Sequence, residues 1–315
     1  HFYDPFIFTH QGASWTDPSM VPLANVPFPY IASEMPAFPV ELEDTWVEYN
    51  FNDYQNHGTI GSVQNLLDIP ADFQSTNNLP LFCGELGVLN FNSENDDRVF
   101  WYNIVTDYLI QKNIPWTMWD YQGGFGLFEK DSYEMFDHDL NVPLLEAIGF
   151  TVPPQSEFKI VADSAAIPIY LDYVAQKIDF NSWYDLAKID YYNDNSTTGN
   201  YCIRWSGAEQ YQSIAFDFRP DRDFSLLVEN DFVLSLYVKS AALDAKFDLR
   251  FLDTDRDEAD YHPWRMRYTI DNTNINWDDN WHQIEIPLSD FREQGSWDDE
   301  SWYNPQGLFD WTRID

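Results

Sequence analysis

Leu79-Pro-Leu-Phe-Cys-Gly-Glu-Leu-Gly-Val-Leu89 is an apolar run broken by a single carboxylate, Glu85. A segment hydrophobic on both faces is what a strand buried in a parallel sheet requires, because helices cover it from either side. The lone glutamate is the anomaly. Desolvating an unpaired carboxylate is strongly unfavourable, so a Glu at the end of such a strand is expected to face a cleft or partners. The plainer reading is a strand-terminating residue that meets solvent.

Downstream, Ser93 reads as an N-cap with Asp96 three residues on, close to a capping box. Phe100, Ile104 and Tyr108 share one face of the helix that follows, with Val105 and Leu109, and Lys112 closes its last turn. Ile114 to Asp120 is a second short strand, rich in Trp, that runs into Tyr-Gln-Gly-Gly-Phe-Gly at 121 to 126. Another helix begins near Asn141, with Pro143 in its first turn and Gly149 at its end. Strand, helix, strand, helix is the order of a parallel α/β fold.

The composition changes after Val152-Pro-Pro-Gln-Ser-Glu157, which reads as a short, stiff linker at 152 to 157 between a first domain (1 to 151) and a second (158 to 315). Beyond it, period-two segments dominate. Ile214, Phe216 and Phe218 alternate with polar or small neighbours, as do Leu234, Leu236 and Val238, and Phe247, Leu249 and Phe251. Trp264, Met266, Tyr268 and Ile270 continue the pattern, and Ile284, Ile286 and Leu288 close it. Alternating strands with no convincing helix predict an antiparallel β-sandwich, with Trp264 on its core face.

Bulk composition narrows the partners. Seventeen basic residues against 53 acidic ones give a net charge of −36, which repels nucleic acid and anionic membrane surfaces while leaving a neutral polymer compatible. No stretch approaches the roughly 18 consecutive apolar residues of a membrane span. Aromatic residues make up 18% of the chain, and rings with an apolar face and a polar tip suit both cores and sugar surfaces. The two cysteines, Cys83 and Cys202, fall in different domains, so neither a disulfide nor a thiol metal site is expected. The acidic run Asp253-Thr-Asp255-Arg-Asp257-Glu-Ala-Asp260 offers oxygen ligands of the kind a structural calcium takes. It lacks the glycine and closing glutamate of an EF-hand, so it is read as a solvated loop and no cofactor or metal is expected. The chain opens on His1 rather than Met, so the absence of a leader says nothing about export.

Three segments belong together. His1-Phe-Tyr-Asp-Pro-Phe-Ile-Phe-Thr-His-Gln-Gly-Ala-Ser-Trp15, Pro80-Leu-Phe-Cys-Gly-Glu-Leu-Gly-Val88 and Pro115-Trp-Thr-Met-Trp-Asp-Tyr-Gln-Gly-Gly-Phe-Gly-Leu-Phe128 resemble, in order and spacing, strands six, seven and eight of glycoside hydrolase family 5, the cellulase family. The resemblance covers residues 1 to 150 and implies the C-terminal portion of a (β/α)8 TIM barrel. It implies that Glu85 is the nucleophile, that Tyr3 hydrogen-bonds it, that His1 neighbours it, and that Trp119 lies under the sugar at the point of cleavage. His10 and Trp15 are expected to border the cleft, with loop packing as the alternative. The implied activity is that of a retaining endo-β-1,4-glucanase. Runners-up are action on mannan, xyloglucan or mixed-linkage glucan, or a non-catalytic glycan-binding protein.

The family's acid/base glutamate ends strand four, which this sequence does not contain. Glu34, Glu41 and Glu43, in a long Pro-rich loop, are the other acidic candidates. The chain alone is therefore expected to be inactive and to need the missing N-terminal half of the barrel. Residues 158 to 315 resemble the galactose-binding-like jelly rolls used as carbohydrate-binding modules, and a domain that simply braces the barrel is the alternative. A polysaccharide substrate implies a secreted or cell-surface protein.

Overall fold

The computed structural model describes residues 1–183, 188–254, 262–298 and 301–315. The chain forms two compact units, His1–Phe158 and Lys159–Asp315.

In the first unit the helices are α1 (Phe6–Thr9), α2 (Trp46–Asn52), α3 (Tyr54–His57), α4 (Ile60–Asn77), α5 (Asn95–Gln111) and α6 (Val142–Ala147). The expected strands at 79–89 and 114–120 are reduced to single parallel bridges, Phe2 with Leu86 and Cys83 with Trp116. The parallel order is kept, but the ladders are too short to count as strands. Glu34, Glu41 and Glu43 lie in the expected Pro-rich loop, which holds one 3-10 turn at Val40–Leu42, and helices α2 to α4 follow it. Thr59 accepts the N–H of Ser62 to start α4, and Pro70 lies inside that helix.

Helix α5 corrects the sequence reading twice. Its N-cap is Glu94, without a side-chain cap bond, whereas the Ser93 hydroxyl donates to Leu89 O at 2.6 Å. Its buried residues are Arg98, Trp101, Tyr102, Val105, Thr106 and Leu109, so Phe100 lies outside the stripe and is exposed. The cause is Arg98, a cation in a core position that hides the true phase of the helix. The start of α6 is as expected: Asn141 accepts the N–H of Leu144, and Pro143 stands in the first turn.

Residues 152 to 157 make bonds within the first unit. Gln155 Oε1 accepts the N–H of Leu140 at 2.9 Å, and Ser156 N donates to Asp137 O at 3.1 Å. The core of this unit gathers Phe8, Met20, Leu23, Val26 and Phe28 with Leu86, Val88, Trp101, Tyr102 and Val105.

The second unit is built from antiparallel pairs. Its strands are β1 (Tyr170–Leu171), β2 (Tyr173–Val174), β3 (Ile178–Trp183), β4 (Ile189–Asn193), β5 (Cys202–Trp205), β6 (Ser213–Phe218), β7 (Val233–Val238), β8 (Phe247–Leu252), β9 (Arg265–Ile270), β10 (His282–Pro287), β11 (Arg292–Asp298) and β12 (Ser301–Tyr303). A four-stranded sheet has the order β12-β11-β9-β8, and β10 pairs with β7. The register Ile284↔Leu236 and Ile286↔Leu234 puts the expected apolar residues on one face, which is why that alternation was readable.

A short helix, α7 (Ser225–Glu229), corrects the expectation of no helix here; Leu227 anchors it in the core. Ile178, Phe218, Phe251, Ile270, Trp277 and Ile286 form that core, and Trp264 is fully buried as its alternation required. Cys83 and Cys202 are free thiols. Of the candidate calcium loop, residues 255–260 lie outside the described residues. Asp253 accepts the N–H groups of Trp264 and Asp310, and no group of three metal-binding side chains occurs among the described residues.

Candidate active site

Period-two geometry explains how the site is assembled. Phe2 and Leu86 bridge in parallel, Phe2 N donates to Glu85 O at 2.8 Å, and both apolar side chains point into the core. Residues flanking a core-facing position must point the other way. His1, Tyr3 and Glu85 therefore emerge together on the open side. The Tyr3 hydroxyl donates to Glu85 Oε2 at 3.1 Å, and His1 Nδ1 lies 2.8 Å from the same oxygen. Burial, then the hydrogen bond to Glu85, raises the Tyr3 phenol well above its ordinary range, so it remains protonated and donates. Among the described residues both side-chain bonds fall on Oε2. Oε1 is left free on a carboxylate whose side chain is 29% exposed, a group positioned to attack an electrophile.

Trp119 reaches the site through its backbone: its N–H donates to Leu86 O at 2.9 Å, next to Glu85, and its indole is 48% exposed. The peptide to Asp120 is cis. Gly87 is required by this approach, because a Cβ there would stand 2.7 Å from Trp119 O and 2.8 Å from the Phe125 ring.

His10 is buried and Trp15 is exposed. His10 packs edge-on against Tyr3 with ring centres 5.2 Å apart, and Trp15 lies 6.4 Å from His10. Burial pushes the His10 imidazole down to about 4, so it is neutral at pH 7. The structure thus brings Glu85, Tyr3 and His1 into direct contact, packs His10 on Tyr3 and Trp15 near His10, and joins Trp119 to them through its backbone.

Three residues were not foreseen. Phe125 touches Tyr3, His10 and Trp15 at ring distances of 5.8, 5.5 and 6.1 Å. The glycines on either side of it, Gly124 and Gly126, were its visible signal. Thr9 donates to Tyr3 O at 2.6 Å and contacts His10 Nδ1 at 2.9 Å. Arg98 donates through Nε to Val88 O at 3.0 Å and through Nη2 to Phe125 O and Gly126 O at 3.2 and 2.6 Å, tying together the loops that follow Glu85 and Trp119.

The arrangement is a partly exposed carboxylate held by a protonated phenol and an imidazole, a set of groups capable of nucleophilic chemistry. The chain is related in sequence to endoglucanases. It is 30% identical to endoglucanase 3 of Fibrobacter succinogenes over 134 residues, 41% of this chain and 20% of that protein. Endoglucanase H of Acetivibrio thermocellus is 23% identical over 312 residues, 93% of this chain and 29% of that protein. Among solved structures, a hyperthermophilic endo-β-1,4-glucanase in complex with substrate is similar at 23% identity and a TM-score of 0.33, over 48% of this chain and 38% of that one. No family model matches the chain. The chain spans between a fifth and two fifths of the length of the curated relatives it matches.

Proposed function

We propose that the first unit carries the nucleophile half of a retaining β-1,4-glucanase, with Glu85 as nucleophile and the parallel bridges as remnants of barrel strands six to eight. The observation that carries this reading is the convergence of Tyr3 and His1 on Oε2 of Glu85, which leaves Oε1 to react. In a double displacement Oε1 attacks the anomeric carbon as the glycosidic C–O bond breaks, and the departing oxygen takes a proton from a second carboxyl group. Water, deprotonated by that same group, then releases the sugar. Retention requires the two carboxyls about 5–5.5 Å apart. That second carboxylate is supplied from outside residues 1 to 315, so this chain alone hydrolyses nothing. β-1,4-Glucan is preferred to mannan, xyloglucan and mixed-linkage glucan because the relatives are endoglucanases. Such a polymer is met outside the cell or on its surface, where we place the protein.

The test is hydrolysis of soluble β-1,4-glucan by the full-length protein and its Glu85→Gln variant. Activity should fall by on the order of 10⁴-fold in the variant; undiminished hydrolysis would remove Glu85 from the mechanism.

A second reading concerns Lys159–Asp315 as a jelly-roll β-sandwich that binds glycan. One feature favours it: Trp297 and Trp302 are directly opposed across β11 and β12, and both indoles are exposed. Gly295, at φ +115°, leaves room for this, since a Cβ would stand 2.9 Å from the Trp302 ring and 2.2 Å from Tyr303 O. Retarded migration in a glucan-containing gel, lost in a Trp297→Ala/Trp302→Ala variant, is the expected result; unchanged migration leaves the unit a structural one.

A further inference from the structure

Two rings beyond the Tyr3–Glu85 pair have no part in the mechanism above. Phe6, at the start of α1, stacks on His10 with centres 3.9 Å apart and planes 13° apart. Trp46, at the start of α2, lies 5.9 Å from Phe6. Trp46 Nε1 donates to Asp17 O at 2.8 Å, which fixes the indole beside the loop that follows Trp15. Rings therefore run without a break from the carboxylate through Tyr3 and His10, then to Trp15 on one side and to Phe6 and Trp46 on the other.

Trp15 is 58% exposed, Trp46 39% and Phe6 38%. An indole whose one donor is satisfied by the protein and whose face meets water offers an apolar platform with no polar demand of its own. Glu43, Asp44 and Glu48 stand beside Trp46 in sequence, and this acidity disfavours a polyanion and suits a neutral occupant.

The geometry points to Trp46, with Phe6, as a further stacking subsite of the cleft. It would hold a pyranose ring of a neutral β-linked glycan on the opposite side of His10 from Trp15. The inference rests on the reading of the Glu85 cleft as a glycan site and extends it into the α2 segment.

The test uses the full chain carrying Trp297→Ala and Trp302→Ala, which takes the second unit's indole pair out of the readout. Binding of cellotriose and cellohexaose is measured by calorimetry. Trp46→Ala should weaken cellohexaose by about five- to tenfold, as one lost aromatic contact does, and leave cellotriose unchanged. Trp46→Phe, which keeps a ring but not the bond to Asp17, should recover most of the affinity. Unchanged cellohexaose binding in Trp46→Ala overturns the inference. So does equal loss for both lengths that Trp46→Phe fails to restore, because Trp46 would then only support the fold. Trp119→Ala should weaken both lengths. If it changes neither while Trp46→Ala weakens cellohexaose, the Glu85 reading fails and the Trp46 subsite stands. No binding of either sugar by the parent overturns both.

Discussion

Thr9 Oγ1 and His10 Nδ1 lie 2.9 Å apart, and the Thr9 proton is directed to Tyr3 O at 2.6 Å. A hydroxyl that has given its one proton away must accept at its second contact, so His10 carries its proton on Nδ1. The neutral ring is wedged between Phe6 and Phe125. Carbon-detected NMR of the imidazole should report the Nδ1–H tautomer at pH 7 and a midpoint near 4; a midpoint at the ordinary value of 6.5 would refute the burial argument.

That depression has a sign. The folded state holds His10 neutral where the unfolded chain is already protonated. The contribution is fully present above about pH 6.5 and is lost as pH falls from there towards 4. The loss at the acid end is on the order of 3 kcal/mol. Asp97, whose carboxyl is raised by burial, acts in the opposite sense. Denaturant unfolding of parent and His10→Phe at pH 7 and 4.5 isolates His10, because only the parent should show this loss. Parallel curves would show that His10 titrates freely.

Tyr3→Phe removes the phenol that donates to Oε2 of Glu85 at 3.1 Å and keeps the ring that packs on His10 and Phe125. A hydrogen bond to a charged group contributes about 1.5–3 kcal/mol, so turnover by the full-length enzyme should fall roughly 10- to 150-fold. The melting temperature should stay within a few degrees of the parent.

Arg98→Met leaves the carbonyls of Val88, Phe125 and Gly126 without their buried donor. The expected loss of stability is about 3–5 kcal/mol, read from the denaturation midpoint of the first unit. A change below about 1 kcal/mol would mean that water replaces the guanidinium.

Gly295→Ala forces a Cβ to within 2.2 Å of Tyr303 O at a positive φ. The β11–β12 pairing should loosen by about 1–3 kcal/mol. If the indole pair binds glucan, retardation in a glucan gel should fall with it, while the far-UV spectrum of the rest of the unit is retained.

Sequence reading picked out Glu85, Tyr3 and His1, which the structure brings into contact, better than it read the elements around them. Glu85 was visible because a carboxylate in an apolar run violates burial rules, and Tyr3 and His1 followed from a resemblance that extends over several segments. The phase of α5 was misread because Arg98 is polar by type and buried by position; only its three carbonyl partners, distant in sequence, explain it. Trp46 was invisible for a different reason. Pro36 and Pro39 mark the preceding segment as loop, and nothing local says that the indole bonds to Asp17 or meets Phe6. In the second unit the alternation of β7 and β10 was plain because one face of each is solvated. The indole pair of Trp297 and Trp302 needed the register of β11 and β12, which only the paired strands supply.

The Arg98 guanidinium has a consequence for motion. Two segments distant in sequence, Val88 after Glu85 and Phe125–Gly126 after Trp119, share one buried cation. Neither can swing away without stripping partners from the other, so their amides should exchange with solvent as a single cooperative block. Opening would then be all-or-none: the two segments are either both held or both released.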